Sequence, residues 1–160
     1  MKTAKEVIEQ LRLLSHPEGG YFKEMYRSKE SVDVGFGPRS ASTCIYFLLT
    51  SDAFSAFHRI KQDEFWFFHQ GSPIRLHTIS PTGQHTEHLI GLEISKGQVP
   101  QLCVKGGDWF AAEVIESSSW SLVSCTVAPG FDFADFELAE RNELIHQFPQ
   151  HKDVIHGLTR

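Results

Sequence analysis

The clearest evidence for the fold lies in one segment of this 160-residue chain, His58-Arg59-Ile60-Lys61-Gln62-Asp63-Glu64-Phe65-Trp66-Phe67-Phe68-His69-Gln70-Gly71. Alternation along a β-strand places His58 and Ile60 on one face. A short turn then reverses the chain, so that Glu64, Trp66 and Phe68 share one face of the partner strand. Aromatic residues on both faces indicate a strand that is covered on both sides. One face is expected to line an interior cavity, and the other to meet a further element or a second copy of the chain.

Short runs of aromatic and β-branched residues continue on both sides of that segment. Turn residues separate them, as in Ser80-Pro81-Thr82-Gly83, which has Pro and Gly at the second and fourth positions of a β-turn. Strands are predicted at residues 21–27, 43–49, 53–60, 64–69, 74–79, 86–90, 101–104, 109–115 and 120–127. Many short strands without intervening helices are typical of an all-β sandwich or barrel.

Helical patterns flank the predicted strands. Thr3 and Glu6 match a capping box, and apolar residues follow at helical spacing as far as Leu14. Pro17 stops this helix, because the residue before a proline disfavours the helical conformation. Helical spacing returns from Asp135 onward and ends at Pro149. We predict one domain over residues 1–160, with an N-terminal helix and turn (1–20), a barrel (21–133), and a C-terminal helix and tail (134–160).

The composition excludes several classes of protein. The chain has 15 basic and 20 acidic residues, a net charge of −5 and no basic cluster, so it is not expected to bind nucleic acid. It has no apolar N-terminal segment and no run of 18 apolar residues, so no membrane partner is expected. Its three cysteines form no C-x-x-C pair and predict neither a disulfide framework nor a structural zinc site. The expectation is a soluble cytoplasmic protein.

The same central segment resembles the first sequence motif of the cupin superfamily, G-x5-H-x-H-x3,4-E-x6-G. His58, Glu64 and Gly71 match this motif in type and spacing. Ile60 stands at the position of its second His, and Asp52 at that of its leading Gly. The resemblance implies a cupin-type double-stranded β-helix, which is a jelly-roll barrel, with short N-terminal and C-terminal helices.

The second cupin motif, G-x5-P-x-G-x2-H-x3-N, resembles Lys105-Gly106-Gly107-Asp108-Trp109-Phe110, in which Gly107 is kept but Phe110 replaces the His. Metal-binding cupins hold their ion with three His and one Glu, and only His58 and Glu64 stand at matching positions here. The apolar side chains of Ile60 and Phe110 have no lone pair to donate, and two ligands hold a divalent metal weakly. We therefore predict a metal-free pocket and no cofactor, with a weakly metal-dependent cupin enzyme as an alternative.

Four further histidines are possible metal ligands. His69 has the wrong strand parity to join Glu64 in the lumen. His77, His85 and His88 flank a predicted turn and are interpreted as scattered surface residues rather than a metal cluster.

A closer resemblance covers nearly the whole chain and identifies it as similar to the "cupin 5" (DUF985) family. The matching segments are His16-Pro17-Glu18-Gly19-Gly20-Tyr21-Phe22 with Glu24, Tyr26, Arg27 and Ser28, then Arg39-Ser40-Ala41 before Tyr46-Phe47-Leu48-Leu49, His58-Arg59 before Asp63-Glu64-Phe65-Trp66, Trp109-Phe110-Ala111-Ala112, and Cys125 through Asp132-Phe133 to Asp135-Phe136-Glu137-Leu138. The resemblance implies a jelly-roll protein that is commonly a homodimer. It also implies a likeness to nucleotide-sugar epimerases and to plant seed-storage and auxin-binding barrels.

We consider first a small-molecule site with metal-independent acid–base chemistry. The Glu64 carboxylate is expected to hydrogen-bond His58 and fix its tautomer, so that the ring accepts a substrate proton. The likeness to epimerases, which act beside a carbonyl with a His base and a Tyr acid, implies Tyr46 as the acid. A sugar-like or carbonyl substrate of an epimerase or isomerase would fit such a site.

Further candidate residues surround this pair. Apolar ligand contacts are expected from Trp66, Phe68, Trp109 and Phe110, and polar ones are open for Arg39, Gln101 and Asp132. Arg39 fits either an anionic ligand or an ion pair within the protein. Asp132 either faces the pocket or caps a turn, and Gln101 either enters the lumen or points outward. The alternatives to catalysis are a ligand-binding barrel without chemistry and a barrel filled by its own aromatic side chains.

Overall fold

Thirteen strands and three α-helices follow one another in the computed structural model, which describes residues 2–160. In chain order they are α1 (Ala4–Leu11), β1 (Leu14–Ser15), β2 (Tyr21–Arg27), β3 (Ser31–Asp33), β4 (Pro38–Ser40), β5 (Thr43–Thr50), β6 (Ser55–Arg59), β7 (Glu64–Gly71), β8 (Ile74–Ile79), β9 (His85–Ile90), β10 (Gln101–Val104), β11 (Trp109–Val114), β12 (Trp120–Val127), β13 (Glu137–Leu138), α2 (Arg141–Gln147) and α3 (Lys152–Gly157). Strands account for 44% of the residues and helices for 19%, which confirms the predicted all-β class.

The strands form two antiparallel sheets that face each other. The first has the order β1-β2-β5-β12-β7-β10, the second has the order β13-β6-β11-β8-β9, and β3 and β4 form a separate hairpin. Several neighbours in a sheet are distant in sequence, as in a jelly roll: β12 lies between β5 and β7, and β11 lies between β6 and β8.

The main core lies between the two inner faces. Phe47 and Trp66 project from the first sheet, and Leu76 and Phe110 project from the second, all with no more than 1% of their surface exposed. Each such side chain stabilises the fold by roughly 1.5–3 kcal/mol through burial of apolar surface. The core occupies one part of the space between the sheets, and the candidate site lies beside it.

All nine predicted strands are present. The sequence pattern missed β1, β13 and the hairpin β3–β4, each of which has only two or three residues. The helix expected as far as Leu14 ends at Leu11, because Arg12 adopts a left-handed conformation with φ 55° and Leu14 pairs with Phe22. Its predicted capping box between Thr3 and Glu6 is formed.

The C-terminal part differs from the prediction in one respect. Residues 137–138 are not helical but form β13, which pairs with Arg59 and His58 of β6. Helix α2 ends just before Phe148 and Pro149, as predicted, and α3 follows it. Within residues 2–160, no helix combines the length and the hydropathy that crossing a membrane requires.

Candidate functional site

A partly enclosed cavity of about 80 Å³ opens between the two sheets, beside the main core. Strands β2, β5, β7 and β12 supply one wall, and β6 supplies the other. Its lining residues are His16, Glu18, Phe22, Glu24, Arg27, Thr43, Ile45, Phe47, His58, Ile60, Glu64, Trp66, Cys125, Val127, Phe131, Phe133 and Phe136. Most of them are apolar, and a few titratable groups converge among them, which is the usual composition of a small-molecule site.

The polar centre of the cavity is a buried pair formed by His58 and Glu18. His58 Nε2 lies 2.7 Å from Glu18 Oε2, and His58 Nδ1 lies 2.7 Å from the carbonyl oxygen of Ala56. Both ring nitrogens therefore face acceptors, so both carry a proton when Glu18 is ionised. The geometry describes an imidazolium held by a carboxylate.

The pKa values of this pair agree with that description. Burial alone would raise the pKa of Glu18, but the charge and the hydrogen bond of His58 bring it below its ordinary value. Burial alone would lower the pKa of His58, but the charge and the hydrogen bond of Glu18 raise it. Each group keeps the other ionised.

His16 lies beside the pair and has the opposite character. The backbone N–H of Glu18 donates to His16 Nδ1 at 3.2 Å, so this nitrogen is an acceptor and the ring proton is on Nε2. Burial lowers the pKa of His16, which favours the neutral ring. The ring packs edge-on against Phe22 and Phe47, with centroids 4.7 and 5.7 Å away.

Glu64 is a second carboxyl group close to the pair. It begins β7, where its backbone lies between Val127 of β12 and Val104 of β10. Burial, and then the nearby charge of Glu18, raise its pKa to about 7, although the charge of His58 acts in the opposite direction. The pKa values of the two carboxyl groups beside this imidazolium are therefore shifted in opposite directions.

The predicted hydrogen bond between His58 and Glu64 is not the one that forms. Glu18 takes that place because the loop before β2 carries its carboxylate to His58 Nε2. Sequence reasoning interpreted His16-Pro17-Glu18-Gly19-Gly20 only as a helix stop. Glu18 could have been identified from the family resemblance, because it lies in one of the segments that resemble the DUF985 family. Ending a helix requires neither a His nor a Glu.

Three of the predicted site residues line the cavity: His58, Glu64 and Trp66. Phe110 lies behind His58, with ring centroids 4.0 Å apart, and belongs to the main core. Phe68 shares the inward face of β7 as predicted, but it packs against that core rather than the cavity.

Two other predicted residues point away from the cavity. Tyr46 lies on the outer face of β5, where its ring centroid is 6.2 Å from that of His69. Trp109 follows the opposite parity to Phe110 and packs in a separate cluster, with the Arg59 guanidinium 4.3 Å from its ring centroid. The structure therefore brings neither of them to His58.

The three polar candidates also have other partners or positions. Arg39 donates to both carboxylate oxygens of Asp135, at 2.7 and 2.8 Å, so it serves an internal ion pair. The Asp132 side chain accepts from the backbone N–H of Ala134 at 2.8 Å and caps a short turn. Gln101 is exposed on β10.

Part of the cavity lining is an aromatic cover. The aromatic cover consists of Phe131, Phe133 and Phe136, whose ring centroids lie 4.9 to 6.3 Å from one another. The segment that carries it is anchored by Asp135, whose fully buried carboxylate binds Arg39 and also accepts from Gln62 Nε2 at 2.7 Å.

The residues present do not fit the metal site of three His and one Glu. Ile60 lines the cavity and Phe110 is buried behind His58, so two of the four positions have no donor atom. Throughout residues 2–160, no three His, Cys, Asp or Glu side chains are placed to share a metal ion. His77 and His85 contact each other at 3.0 Å, but His88 instead lies 3.3 Å from the hydroxyl of Thr78.

Comparison with known proteins places the chain among close relatives. The profile of a family described as "Cupin superfamily (DUF985)" matches residues 5–139. An uncharacterized protein of Saccharomyces cerevisiae is 32% identical over 158 residues, a match that spans 89% of this chain and 78% of that protein. These matches confirm the resemblance seen in the sequence.

Solved structures agree over the whole chain. A hypothetical protein from Leishmania major has a TM-score of 0.94 and 38% identity, with 99% of each chain covered. A structural-genomics protein from Shewanella oneidensis has a TM-score of 0.94 and 39% identity, covering 100% of this chain and 99% of its own. Oxalate decarboxylase from Bacillus subtilis has a TM-score of 0.59 at 14% identity, with 90% of this chain and 36% of that chain covered, so it is similar in fold alone.

Proposed function

We propose that this chain, which belongs to the DUF985 family of the cupin superfamily, binds a small molecule in its barrel and transfers a proton to or from it through Glu64. The observation that carries this proposal is the convergence of Glu18, His58 and Glu64 on one apolar cavity. Their environments push the proton affinities of the two carboxyl groups apart, which is how enzymes divide acid and base roles.

Glu64 suits proton transfer better than His58 does. Both N–H groups of the His58 imidazolium are already donated, to Ala56 and to Glu18. Efficient acid–base catalysis near neutral pH needs a group with a pKa near 7. Burial and the charge of Glu18 give Glu64 a pKa of about 7.

The buried pair supports this role through its charges. The Glu18 carboxylate holds the proton on Glu64, and the His58 imidazolium stabilises negative charge that develops on a bound ligand. Proton abstraction next to a carbonyl group develops such charge on oxygen. A carbonyl or sugar-like compound that undergoes isomerisation or epimerisation therefore suits the site.

The indole of Trp66 supports a ligand with an acceptor oxygen. This side chain is 1% exposed and lines the cavity, and its Nε1–H acts on the Glu64 carboxyl group, whose pKa it lowers, without completing a hydrogen bond of normal geometry. A buried donor that is poorly paired costs free energy, so a ligand oxygen that accepts from it in place of Glu64 would be bound more tightly.

Deuterium incorporation tests the proposal and does not require the substrate to be identified first. The purified protein is incubated in D₂O with a mixture of small carbonyl compounds and sugars, and mass spectrometry detects compounds that exchange a C–H for a C–D bond. We expect exchange with the wild type and at least a hundredfold slower exchange with Glu64→Gln. The control is Glu113→Gln, which alters a carboxylate on β11 that contacts Arg75 and His77 and does not line the cavity.

A binding barrel without chemistry is the second candidate. It is favoured by the His58–Glu18 pair, whose hydrogen bonds are satisfied within the protein. Compounds that co-purify with the chain, yet gain no deuterium in its presence, would establish this function and contradict the first.

We also propose a homodimer formed through the outer face of β7, in a cytoplasmic protein. Phe65 is 40% exposed there and stacks on Phe67, with ring centroids 6.1 Å apart. A second copy would cover this apolar pair. The cytoplasmic location is supported by three free cysteines, Cys44, Cys103 and Cys125, which suit a reducing compartment.

A further inference from the structure

We infer that the ligand of this cavity carries a positively charged nitrogen, either an amine or a quaternary ammonium group. The inference deepens the proposed function and rests on it. It is drawn from two features of the cavity lining: the aromatic rings, and the pairing of the charged groups.

The aromatic rings come from two segments that both line the cavity. Phe131, Phe133 and Phe136 lie in mutual contact, and His16 packs between this cover and Phe22, with its ring centroid 6.3 Å from that of Phe133. Aromatic rings attract a cation over their faces by roughly 0.5–2 kcal/mol each, and clustered rings are used to recognise quaternary ammonium groups. Three of the rings named here belong to a segment outside the barrel strands, so the barrel core does not require them.

Two of the three glutamates in the described lining form ion pairs, and the third does not. Glu18 binds His58 at 2.7 Å, and Glu24 binds Arg27 at 2.6 Å. Among the described lining residues, Glu64 is the carboxyl group that forms no ion pair. A bound cation would complete the pairing.

An anionic ligand would meet the opposite situation. Arg27 is the one arginine in the lining within residues 2–160, and its guanidinium already donates to Glu24 and to the carbonyl oxygen of Phe131. A phosphate or diphosphate is bound best by a bidentate pair of donors, which Arg27 cannot offer without giving up its contact with Glu24 or its contact with Phe131. A phosphate-bearing sugar is therefore a poor match for this lining.

Binding of a cation is expected to release a proton from Glu64. The titratable groups that face Glu64 are Glu18 from the loop before β2, His58 from β6 and Cys125 from β12, and the cavity lining also contains His16, Glu24 and Arg27. Since the pKa of Glu64 is about 7, cation affinity should increase as the pH rises through this value and level off above it.

Three probes of one shape test the inference on the wild-type protein. Tetramethylammonium, tert-butanol and trimethylacetate are cationic, neutral and anionic, and each is titrated while NMR follows the indole N–H of Trp66. At pH 8 we expect the Kd of tetramethylammonium to be at least tenfold below that of tert-butanol, with trimethylacetate binding most weakly. At pH 5.5 the affinity for tetramethylammonium should fall at least threefold.

Two variants distinguish the effect of the Glu64 charge on binding from the effect of the cavity shape: Glu64→Gln and Glu113→Gln. Glu64→Gln should bind tert-butanol within threefold of the wild type and lose most of its preference for the cation, whereas Glu113→Gln should keep that preference. Equal or tighter binding of the neutral or anionic probe by the wild type would overturn the inference, as would no binding of tetramethylammonium. Neither result affects the deuterium test, so the failure of the inference is distinct from the failure of the proposed function.

Discussion

Glu18 and Glu64 flank the same imidazole, yet their pKa values move in opposite directions. Glu18 accepts a hydrogen bond from the ring and stays ionised. Glu64 lacks that hydrogen bond and keeps its proton up to a higher pH. The difference arises because only one carboxylate reaches His58 Nε2. At the residue scale, contact with one ring nitrogen therefore decides which carboxyl group is ionised at neutral pH.

Replacing Glu18 with Gln should lower the pKa of His58. Burial then outweighs the remaining stabilisation of the imidazolium, because the charge and the hydrogen bond of Glu18 are what raise this pKa. NMR titration of the histidine ring nitrogens measures the change, with Glu24→Gln as the control, since Glu24 binds Arg27 instead. An unchanged His58 pKa in Glu18→Gln would contradict the described pair.

Replacing Glu64 with Gln should stabilise the fold at high pH. The unfolded chain holds this carboxyl group near its ordinary pKa of 4.5, whereas the folded protein holds it at about 7. Folding takes up a proton between these values, so the wild type loses stability as the pH rises from about 4.5 to 7.

Urea unfolding at pH 4.5 and pH 8 measures this effect. Relative to the wild type, Glu64→Gln should gain up to about 3 kcal/mol at pH 8 compared with pH 4.5, as a pKa shift of this size implies. A gain that is the same at both pH values would show that Glu64 titrates normally.

The sequence identified His58 and Glu64 because their spacing matches a motif, and Trp66 because strand alternation places it on the same face as Glu64. The turn between them was expected to pair the two strands, but β6 and β7 lie in opposite sheets. The sequence did not identify Glu18, whose contact with His58 joins residues that are distant in the chain. Strand parity determines which face a side chain occupies, but it does not predict which loop folds over that face. Tyr46 illustrates the same limit, since parity alone left open which face of β5 is inward.

At the scale of elements, the regular strands were predictable and the short ones were not. Alternation over six to eight residues gave β7, β8 and β12 close to their observed bounds. Two-residue β13 is too short to show such alternation, and its Leu138 was assigned to the predicted C-terminal helix. Its pairing with β6 depends on a sheet edge that the local sequence does not describe.

Gly71 ends β7 at a place where another residue type would not fit. Its φ of +101° is unfavourable for L side chains, and a Cβ atom there would overlap the carbonyl oxygen of Trp120 on β12. Gly71→Ala should destabilise the fold by at least about 2 kcal/mol. Gly35→Ala is the matched control, with a φ of +84° and no neighbour within 4 Å, and chemical denaturation should show a loss of about 1 kcal/mol. Equal losses would argue against the close approach of β7 and β12.

The segment that bears the aromatic cover should loosen when its anchor is weakened. Arg39→Lys removes the paired hydrogen bonds to the buried carboxylate of Asp135, which Lys cannot reproduce. We expect amide hydrogen exchange of residues 131–136 to become roughly ten to a hundred times faster, corresponding to about 1–3 kcal/mol of local stability.

Arg59→Lys provides the control for that experiment. Arg59 binds Glu137 at 2.7 Å, but both side chains are substantially exposed, and such pairs contribute about 0–1 kcal/mol. Mass spectrometry should therefore find little change in exchange for this variant. Unchanged exchange in Arg39→Lys would show that the segment is held by its phenylalanines alone.

At the scale of the whole molecule, the resemblance to a family predicted the fold that the structure has. The arrangement of β12 between β5 and β7 could not be deduced from local patterns, because strand order in a jelly roll joins distant parts of the chain. Once the family was recognised, the topology followed.

The proposed homodimer makes a prediction at this scale. Light scattering should give twice the mass of one chain for the wild type, and Phe65→Ser should shift the protein toward the monomer by at least tenfold in dissociation constant. Ile94→Ser is the control, because Ile94 is 73% exposed and lies outside the strands. A wild-type protein that remains monomeric at micromolar concentration would contradict the proposal.

The site takes Glu18 from before the first long strand and the aromatic cover from beyond β12, whereas His58 and Glu64 come from strands of the barrel itself. If a cation binds as proposed, the preference for it depends on Glu64, which belongs to β7. Chimeras that exchange residues 16–20 and 131–136 with a relative should therefore change which shapes the cavity accepts but keep the preference for a cation over a neutral probe.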